Sequence, residues 1–301
     1  MSGPPRWEVE GRHWPLRDHS RFVTGGALHW HVQVMGRGPV LLLIHGTGAA
    51  THSWRDVAPL LAERFTVVAP DLPGHGFTTG RPTGGMRLPV VAGAVRDLLG
   101  VLGLAPQLVV SHSAGAAIAV RMALDGLPSC AGIVGIGAAL RPFPGLAGRL
   151  FPSLAKLLFV NPIAPHLFAG IARTPGETAR FLRRSTGSRI DAVGVACYER
   201  LFATASHCAG AIAMMADWDL EGLQRDLPRL PVPLLLLHGA GDAAVPPSAA
   251  REAAALIPGA RLVMLPDLGH LAHEEQPFLV AGMIADFARE RALLPAVEEG
   301  V

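Results

Sequence analysis

Short runs of apolar residues recur along this chain of 301 residues, and most of them end in turn-forming residues before a helical pattern begins. Unbroken apolar runs of about four to eight residues are typical of strands that are buried on both faces of a sheet. Two strand-like runs around Gly25 and Gly26 have the pattern of a hairpin. Strands are therefore predicted within residues 21–36 (the hairpin), 39–46, 66–71, 107–113, 132–138, 233–239 and 260–267.

Helical segments separate most of these runs, which predicts a mostly parallel sheet covered by helices on both faces. The alternation stops between about residues 140 and 230, where helical stretches broken by proline and glycine replace the strands. A connection of this length needs structure of its own. We therefore predict an α/β fold whose core is formed by residues 1–139 and 231–301, with residues 140–230 inserted as a helical cap.

Charge and hydropathy narrow the classes of function. The 26 Lys and Arg residues balance 24 Asp and Glu residues to a net charge of +2, so no nucleic-acid partner is predicted. The mean hydropathy of +0.35 has two interpretations, a core rich in Ala, Leu and Val, or an apolar surface for a membrane or a lipophilic ligand. The most apolar stretch, residues 154–172, includes Lys156, His166 and two prolines, so no transmembrane helix is predicted.

Cysteine usage and the N-terminal sequence bear on location. Cys130, Cys197 and Cys208 are odd in number and widely spaced, which predicts neither a disulfide framework nor a metal site and favours a reducing compartment. The first residues contain no apolar signal segment. We predict a cytoplasmic protein and leave peripheral contact with the inner membrane open. Four arginines in residues 180–189 predict a solvated helix face, with an anchor for a ligand carboxylate or an acidic membrane surface as the alternative.

The stretch LVVSHSAGAAIAV, residues 108–120, places a serine between a predicted strand and a predicted helix. Such a turn can strain the serine backbone and lift its hydroxyl above the sheet, but it needs small residues two positions before and after. Ser111 and Gly115 occupy those positions, with serine in place of the usual first glycine. Ser113 is therefore predicted to be a nucleophile, and the alternative is a turn that only requires small residues.

The same turn predicts an acid and then a histidine further along the chain. Asp242 follows the predicted strand 233–239, and His270 follows the last predicted strand. His270 would act as general base and acid, while Asp242 would hold its tautomer. Asp267 is the weaker acid candidate, because it lies on the loop of the histidine itself. The other acidic and imidazole side chains of this region are interpreted as residues of a first helical turn: His273, Glu274 and Glu275.

A tetrahedral oxyanion needs preorganised N–H donors. The backbone N–H groups of Ala114 and Thr47 are the predicted pair, and Gly48 would allow close approach. Gly48, His52 and His112 are candidates for the substrate pocket, although a structural role is the alternative for His112. The stretch GTGAAT lacks the Gly-Lys-Ser/Thr of a phosphate-binding loop. No metal site and no cofactor are predicted.

At these residues the chain resembles the α/β-hydrolase superfamily, over about Arg21 to Arg289. The motifs that carry the resemblance are HGTG, PDLPGHG, SHSAG, GAGD and GH. The stretches WPLRDHSRFV, HGTGAATHSWRDVAPLLAERFTVVAPDLPGHGFT, TGSRIDAVGVACYERLF and GAIAMMADWDL also resemble the magnesium-chelatase accessory family of bacteriochlorophyll synthesis, the BchO type. This narrower resemblance implies a purple photosynthetic bacterium and a role near magnesium insertion into protoporphyrin, but it implies no reaction.

Two functions of different class remain open. The first is a serine hydrolase that cleaves an ester of a small lipophilic substrate, with a tetrapyrrole ester as one such substrate. The second is a non-catalytic accessory protein that binds a porphyrin or a magnesium-chelatase subunit through its cap. Another reaction on the same scaffold, such as C–C bond hydrolysis or perhydrolysis, is a third possibility, since a fold alone does not fix chemistry.

Overall fold

A mixed β-sheet forms the centre of the molecule in the computed structural model, which describes residues 4–142, 161 and 163–296. Within these residues the sheet has nine strands in the order β1-β2-β4-β3-β6-β7-β8-β9, and β5 pairs with β2. The strands are β1 (Ser20–Gly25), β2 (Leu28–Met35), β3 (Val40–Ile44), β4 (Thr66–Pro70), β5 (Thr79–Gly80), β6 (Leu108–His112), β7 (Ile133–Ile136), β8 (Leu234–Gly239) and β9 (Arg261–Leu265).

Helices flank this sheet and also occur in the described part of the long connection between β7 and β8. In chain order they are α1 (Val57–Ala62), α2 (Leu88–Leu102), α3 (Ala114–Leu124), α4 (Ala164–Ala172), α5 (Glu177–Thr186), α6 (Ala192–Phe202), α7 (Ala205–Asp217), α8 (Leu220–Asp226), α9 (Pro247–Leu256), α10 (Ala272–Glu275) and α11 (Pro277–Glu290).

The sheet confirms the predicted fold class. Strand β2 pairs antiparallel with β1 and β4. From β4 onward the strands pair parallel with one another, in the order β4, β3, β6, β7, β8 and β9. Each predicted run contains the expected strand, and the hairpin turns at Gly26, whose φ is +59°. Every residue of β6 and β8 is buried, which is why these strands have unbroken apolar sequences.

Apolar layers on the two faces of the sheet hold it in place. On one face, Trp30 and Val109 pack with buried residues of α2, α3 and α9. On the other face, Trp54 and Val110 pack with buried residues of α1 and α11. The parallel strands therefore lie between two helical layers, and the loops at their carboxyl ends share one edge of the sheet.

Helices α4 to α8 lie between β7 and β8, and we call them the cap helices. The described part of this connection contains no strand, as predicted. The predicted helical stretch over residues 145–159 lies outside the described residues. The division of the chain at residues 139 and 230 into core and cap stays a prediction. No described helix combines the length and apolar character that crossing a membrane requires.

Candidate active site

Ser113 lies at the turn between β6 and α3 with a strained backbone. Its φ of 51° and ψ of −120° fall in a region that side-chain-bearing residues rarely adopt. A Cβ atom at Gly115 would lie 2.4 Å from the backbone oxygen of Ile44, so a larger residue would push helix and strand apart. The hydroxyl of Ser111 fits in place of a glycine because it donates to the oxygen of Val134 at 3.1 Å. The local geometry is that of the predicted turn.

His270 and Asp242 form a hydrogen-bonded pair at the same edge of the sheet. The Nδ1 atom of His270 is 2.8 Å from Oδ2 of Asp242, and both residues are buried. The other carboxylate oxygen of Asp242 accepts the N–H groups of Ala244 and Val245, each at 2.8 Å. Asp242 is thereby fixed in orientation and holds the proton of His270 on Nδ1. Asp267, by contrast, is exposed.

The turns that follow β6, β7 and β9 bring Ser113 and His270 to one place. The N–H of Ser113 donates to the oxygen of Ile136 at 2.9 Å, and the next residue, Gly137, packs directly on the His270 ring. A Cβ atom at Gly137 would lie 2.9 Å from Nδ1 of that ring. Among the described residues, the Ser113 hydroxyl makes no hydrogen bond. Within the described residues no hydrogen bond therefore joins Ser113 to His270, and the assignment of Ser113, His270 and Asp242 to a catalytic triad stays a prediction.

Two unpaired backbone donors lie beside the serine. Within the described residues, the N–H groups of Ala114 and Thr47 have no hydrogen-bond acceptor. The loop after β3 approaches the serine closely, since a Cβ atom at Gly46 would lie 2.9 Å from the Ser113 Cβ. Gly48 has a φ of +79°, which favours glycine there. Their role as an oxyanion-binding pair stays a prediction.

The two candidate pocket histidines are both buried. His52 packs between Trp14 and Tyr198, with ring centroids 5.3 and 4.5 Å away. Burial, together with the charge of Arg55, lowers the pKa of His52 well below its usual value. His112 is 3.1 Å from the backbone oxygen of His270 through Nε2, so it supports the loop of the candidate base. Whether either residue contacts a substrate stays a prediction.

A buried carboxylate that sequence reasoning passed over organises the loops around the site. Asp71 follows β4 in the stretch PDLPGHG, which carries the family resemblance but no predicted role for this residue. Its carboxylate accepts the N–H of Thr51 at 2.7 Å and of Phe77 at 2.8 Å, and it is 2.7 Å from Nδ1 of His31. Burial alone raises the pKa of Asp71, but His31 and the backbone N–H of Phe77 outweigh it and lower that pKa.

A second buried network joins the core to the cap helices. Arg55 donates to Glu274 at 2.8 Å and to Asp191, which caps helix α6, at 2.9 Å. The hydroxyls of Ser53 and Tyr198 donate to the other oxygen of Glu274, at 2.6 and 2.8 Å. Glu274 does lie in a short helix, α10, as predicted from the sequence. Its burial in a charged network could not be read from the sequence, because its partners are 76 to 221 positions away.

Metal and thiol chemistry find little support in the described part of the chain. No group of three or more His, Cys, Asp or Glu side chains that could hold a metal ion occurs there. The three cysteines are free thiols. Burial raises the pKa of Cys197 and of Cys208 to about 11, so both thiols stay protonated at neutral pH.

Comparisons with known proteins identify the family. Residues 39–277 match the family model of the alpha/beta hydrolase fold. The chain is 40% identical to the magnesium-chelatase 30 kDa subunit of Rhodobacter capsulatus over 91% of this chain and 96% of the relative. It is 30% identical to a pimeloyl-(acyl-carrier protein) methyl ester esterase of Stenotrophomonas maltophilia, over 88% of this chain and 98% of that one.

A solved structure agrees with these matches at the level of the fold. A thermophilic esterase from Thermogutta terrifontis has a TM-score of 0.72 and 24% identity, over 90% of this chain and 98% of that chain. The sequence and structure matches together confirm the resemblances drawn from the motifs.

Proposed function

Because this chain belongs to the α/β-hydrolase family, we propose that it is a serine hydrolase that cleaves an ester of a lipophilic substrate. The observation that carries the proposal is the strained Ser113 turn at the same sheet edge as the His270–Asp242 pair. We also infer that residues 1–139 and 231–301 form the catalytic core and that residues 140–230 form its cap.

The proposed reaction follows from the positions of these groups. The Ser113 oxygen attacks the ester carbonyl carbon while His270 Nε2 takes the hydroxyl proton. The N–H groups of Thr47 and Ala114 hold the resulting oxyanion. Collapse of the intermediate expels the alcohol, which takes the proton from His270, and leaves an acyl group on Ser113. Water then attacks this acyl group with His270 again as base, and the acid is released.

The negative charge of Asp242 stabilises the imidazolium that forms in each half of this reaction. The contact from Ser113 to His270 has to form when substrate binds, as catalytic hydrogen bonds commonly tighten at that stage. An ester is the favoured substrate class because the 30% identical relative is named as a methyl ester esterase. The apolar composition of the chain supports a lipophilic substrate, with a tetrapyrrole ester as one example.

The relative from Rhodobacter capsulatus supports a place for this protein at the magnesium-chelatase step of bacteriochlorophyll synthesis. The word subunit in that name also favours a second function, in which the cap binds a porphyrin or a chelatase subunit without catalysis. The free Ser113 hydroxyl is compatible with this second function. Under it, a Ser113→Ala variant would still restore pigment synthesis to a strain that lacks the gene, whereas under the first it would not.

The direct test of the hydrolase is labelling with a fluorophosphonate, followed by intact-mass spectrometry. We expect one adduct on the wild type and none on Ser113→Ala or His270→Ala. Ser248→Ala is the matched control, because Ser248 is exposed on α9, and it should label like the wild type. An unlabelled wild type of normal stability would rule out an activated serine and leave the accessory function.

A further inference from the structure

Two neighbouring cap helices expose an unusual number of large apolar side chains. Among the described residues, half of the exposed large apolar side chains fall within residues 163–181. We call this set the cap face. Its members are Ile163 (69% exposed), Leu167 (62%), Phe168 (44%) and Ile171 (49%) on or beside α4, and Phe181 (56%) on α5.

On α4 the cap face is not the side by which the helix packs, whereas Phe181 on α5 also contacts the ring of Phe202 in α6. Helix α4 buries Ala164, Pro165 and Ala169 on its other side, where it contacts α7. Ile163, Leu167 and Ile171 recur every four residues and therefore form one stripe along the outer side of α4. Within the described residues, small side chains therefore make the packing contacts of α4, and its large apolar side chains are left exposed.

The charge around the cap face is of one sign. Residues 163–189 contain five arginines and one acidic residue, Glu177, which gives +4 against +2 for the whole chain. Glu177 pairs with Arg180, its neighbour on α5. Within the described residues, Arg183 and Arg184 have no acidic partner. Arg184 lies one helical turn from Phe181, so a cation and an apolar side chain share one exposed surface of α5.

We propose that the cap face docks on a bilayer surface that contains anionic phospholipid. Leu, Ile and Phe side chains can enter the boundary between headgroups and acyl chains, while arginines at the same level bind phosphate oxygens. A helix that lies flat in the interface has this combination of an apolar stripe and flanking cations. The cap would then bring the enzyme to the surface where a lipophilic substrate dissolves.

A second copy of the chain fits the cap face less well. Two copies related by a twofold axis would place the same arginines opposite each other, and like charges across an interface oppose association. The exposed stripe of α4 also offers no hydrogen-bonding side chain except His166 next to it. Neither Ser113 nor His270 belongs to the cap face, so membrane docking does not depend on whether the triad is used.

The test is sedimentation of the full-length protein with vesicles of phosphatidylcholine alone or with about a third phosphatidylglycerol. We expect binding to the anionic vesicles that weakens as salt is raised. Leu167→Ser with Ile171→Ser should weaken it at least about tenfold, since two apolar side chains leave the interface. Arg183→Gln with Arg184→Gln should weaken it by about tenfold or more as well.

Matched controls lie away from the cap. Phe278→Ser with Leu279→Ser removes exposed apolar residues of α11, and Arg37→Gln with Arg64→Gln removes exposed arginines before β3 and β4. These four substitutions should leave vesicle binding unchanged, and so should Ser113→Ala. Phe181→Ser provides a further single test if either cap double variant fails to fold.

Three results would overturn the proposal. The first is a wild type that stays in solution with the anionic vesicles. The second is binding that the cap variants and the control variants reduce equally. The third is a wild-type dimer in size-exclusion chromatography that the cap variants convert to a monomer, which would make the cap face a contact between copies.

Discussion

The imidazole of His207, in cap helix α7, donates through Nε2 to the backbone oxygen of Gly48 at 3.0 Å. Its Nδ1 accepts the N–H of Gly76 at 3.1 Å, so the proton is held on Nε2. One buried side chain therefore joins the cap to two core loops. One of these loops, after β3, carries the proposed oxyanion donor Thr47. The other, after β4, packs on α7 so closely that a Cβ atom at Gly74 would lie 2.9 Å from Gly210 Cα.

Replacing His207 should slow catalysis by loosening the loop that holds Thr47. In His207→Leu the Gly48 oxygen and the Gly76 N–H lose their partner, and we expect about a tenfold lower rate of fluorophosphonate labelling. Activity on an ester should fall mainly in kcat, because a donor to the oxyanion acts in the transition state. The exposed His166→Gln is the control. A His207→Leu variant with wild-type labelling would show that the loop is held without the cap.

Acid should unfold this protein from an unusually high pH. Burial lowers the pKa of His207 to about 4 and of His273 to about 3, and it also lowers the pKa values of His45, His52, His75, His112 and His238. In the unfolded chain these histidines become protonated near pH 6.5, whereas in the native state they stay neutral at that pH. The free energy of unfolding should therefore fall as the pH drops below about 6.5. The buried neutral His207 accounts for about 3 kcal/mol of this loss by pH 4.

The measurement is urea unfolding at several values between pH 7.5 and 5. The His207→Gln variant should show a shallower loss of unfolding free energy than the wild type, and His166→Gln should show the wild-type loss. Identical slopes in all three proteins would mean that His207 is not buried as a neutral imidazole.

Asp242→Asn should abolish function without unfolding the protein. The asparagine oxygen can still accept the N–H groups of Ala244 and Val245, which turns its NH₂ group toward His270. The Nδ1 atom of His270 then becomes an acceptor, and the proton of the ring moves to Nε2. A protonated Nε2 can no longer accept the hydroxyl proton of Ser113. We expect labelling and ester hydrolysis to fall by about 10³ to 10⁴-fold. The matched control is Asp267→Asn, and a larger loss in that variant would reassign the acid.

Ser113→Gly should be more stable than Ser113→Ala. Both lose the hydroxyl, but only glycine adopts a φ of 51° with a ψ of −120° without strain. We expect a difference of about 1 kcal/mol in unfolding free energy, measured in urea. Equal stabilities would indicate that the backbone of this turn relaxes and stores no strain.

Arg55→Met should cost about 3 to 5 kcal/mol of stability, because it leaves the buried carboxylate of Glu274 without its cation. The double variant Arg55→Met with Glu274→Leu should recover much of this loss, since no uncompensated charge remains. The free energies come from urea unfolding at pH 7.5. A double variant no more stable than Arg55→Met alone would point to lost packing as the cause.

The sequence predicted the fold and the candidate reacting groups for the same reason. Strands buried on both faces must be unbroken apolar runs, and the turn after β6 tolerates only small residues next to Ser113. Local sequence carries both signals. The roles proposed for Ser113, Asp242 and His270 remain predictions, although the structure does place Asp242 on His270.

Other parts of the site left no local signal. The sequence assigns no role to Asp71 and interprets Glu274 only as a residue of a first helical turn. Each is buried among partners from distant parts of the chain, such as His31 for Asp71 and Arg55 for Glu274. His207 lies between two stretches that carry the family resemblance but belongs to neither, yet it holds the loop after β3.

The sequence by itself thus determined the order of the main strands and helices, the strained serine turn, and the choice of Asp242 and His270 as candidate residues. These features depend on the period of apolar residues and on steric limits within a few positions. Only the tertiary structure decided which histidines are neutral and buried, how Arg55 and His207 tie the cap to the core, and which face of α4 is left exposed. Those features depend on burial and on contacts between residues far apart in the chain, which the order of residues does not display.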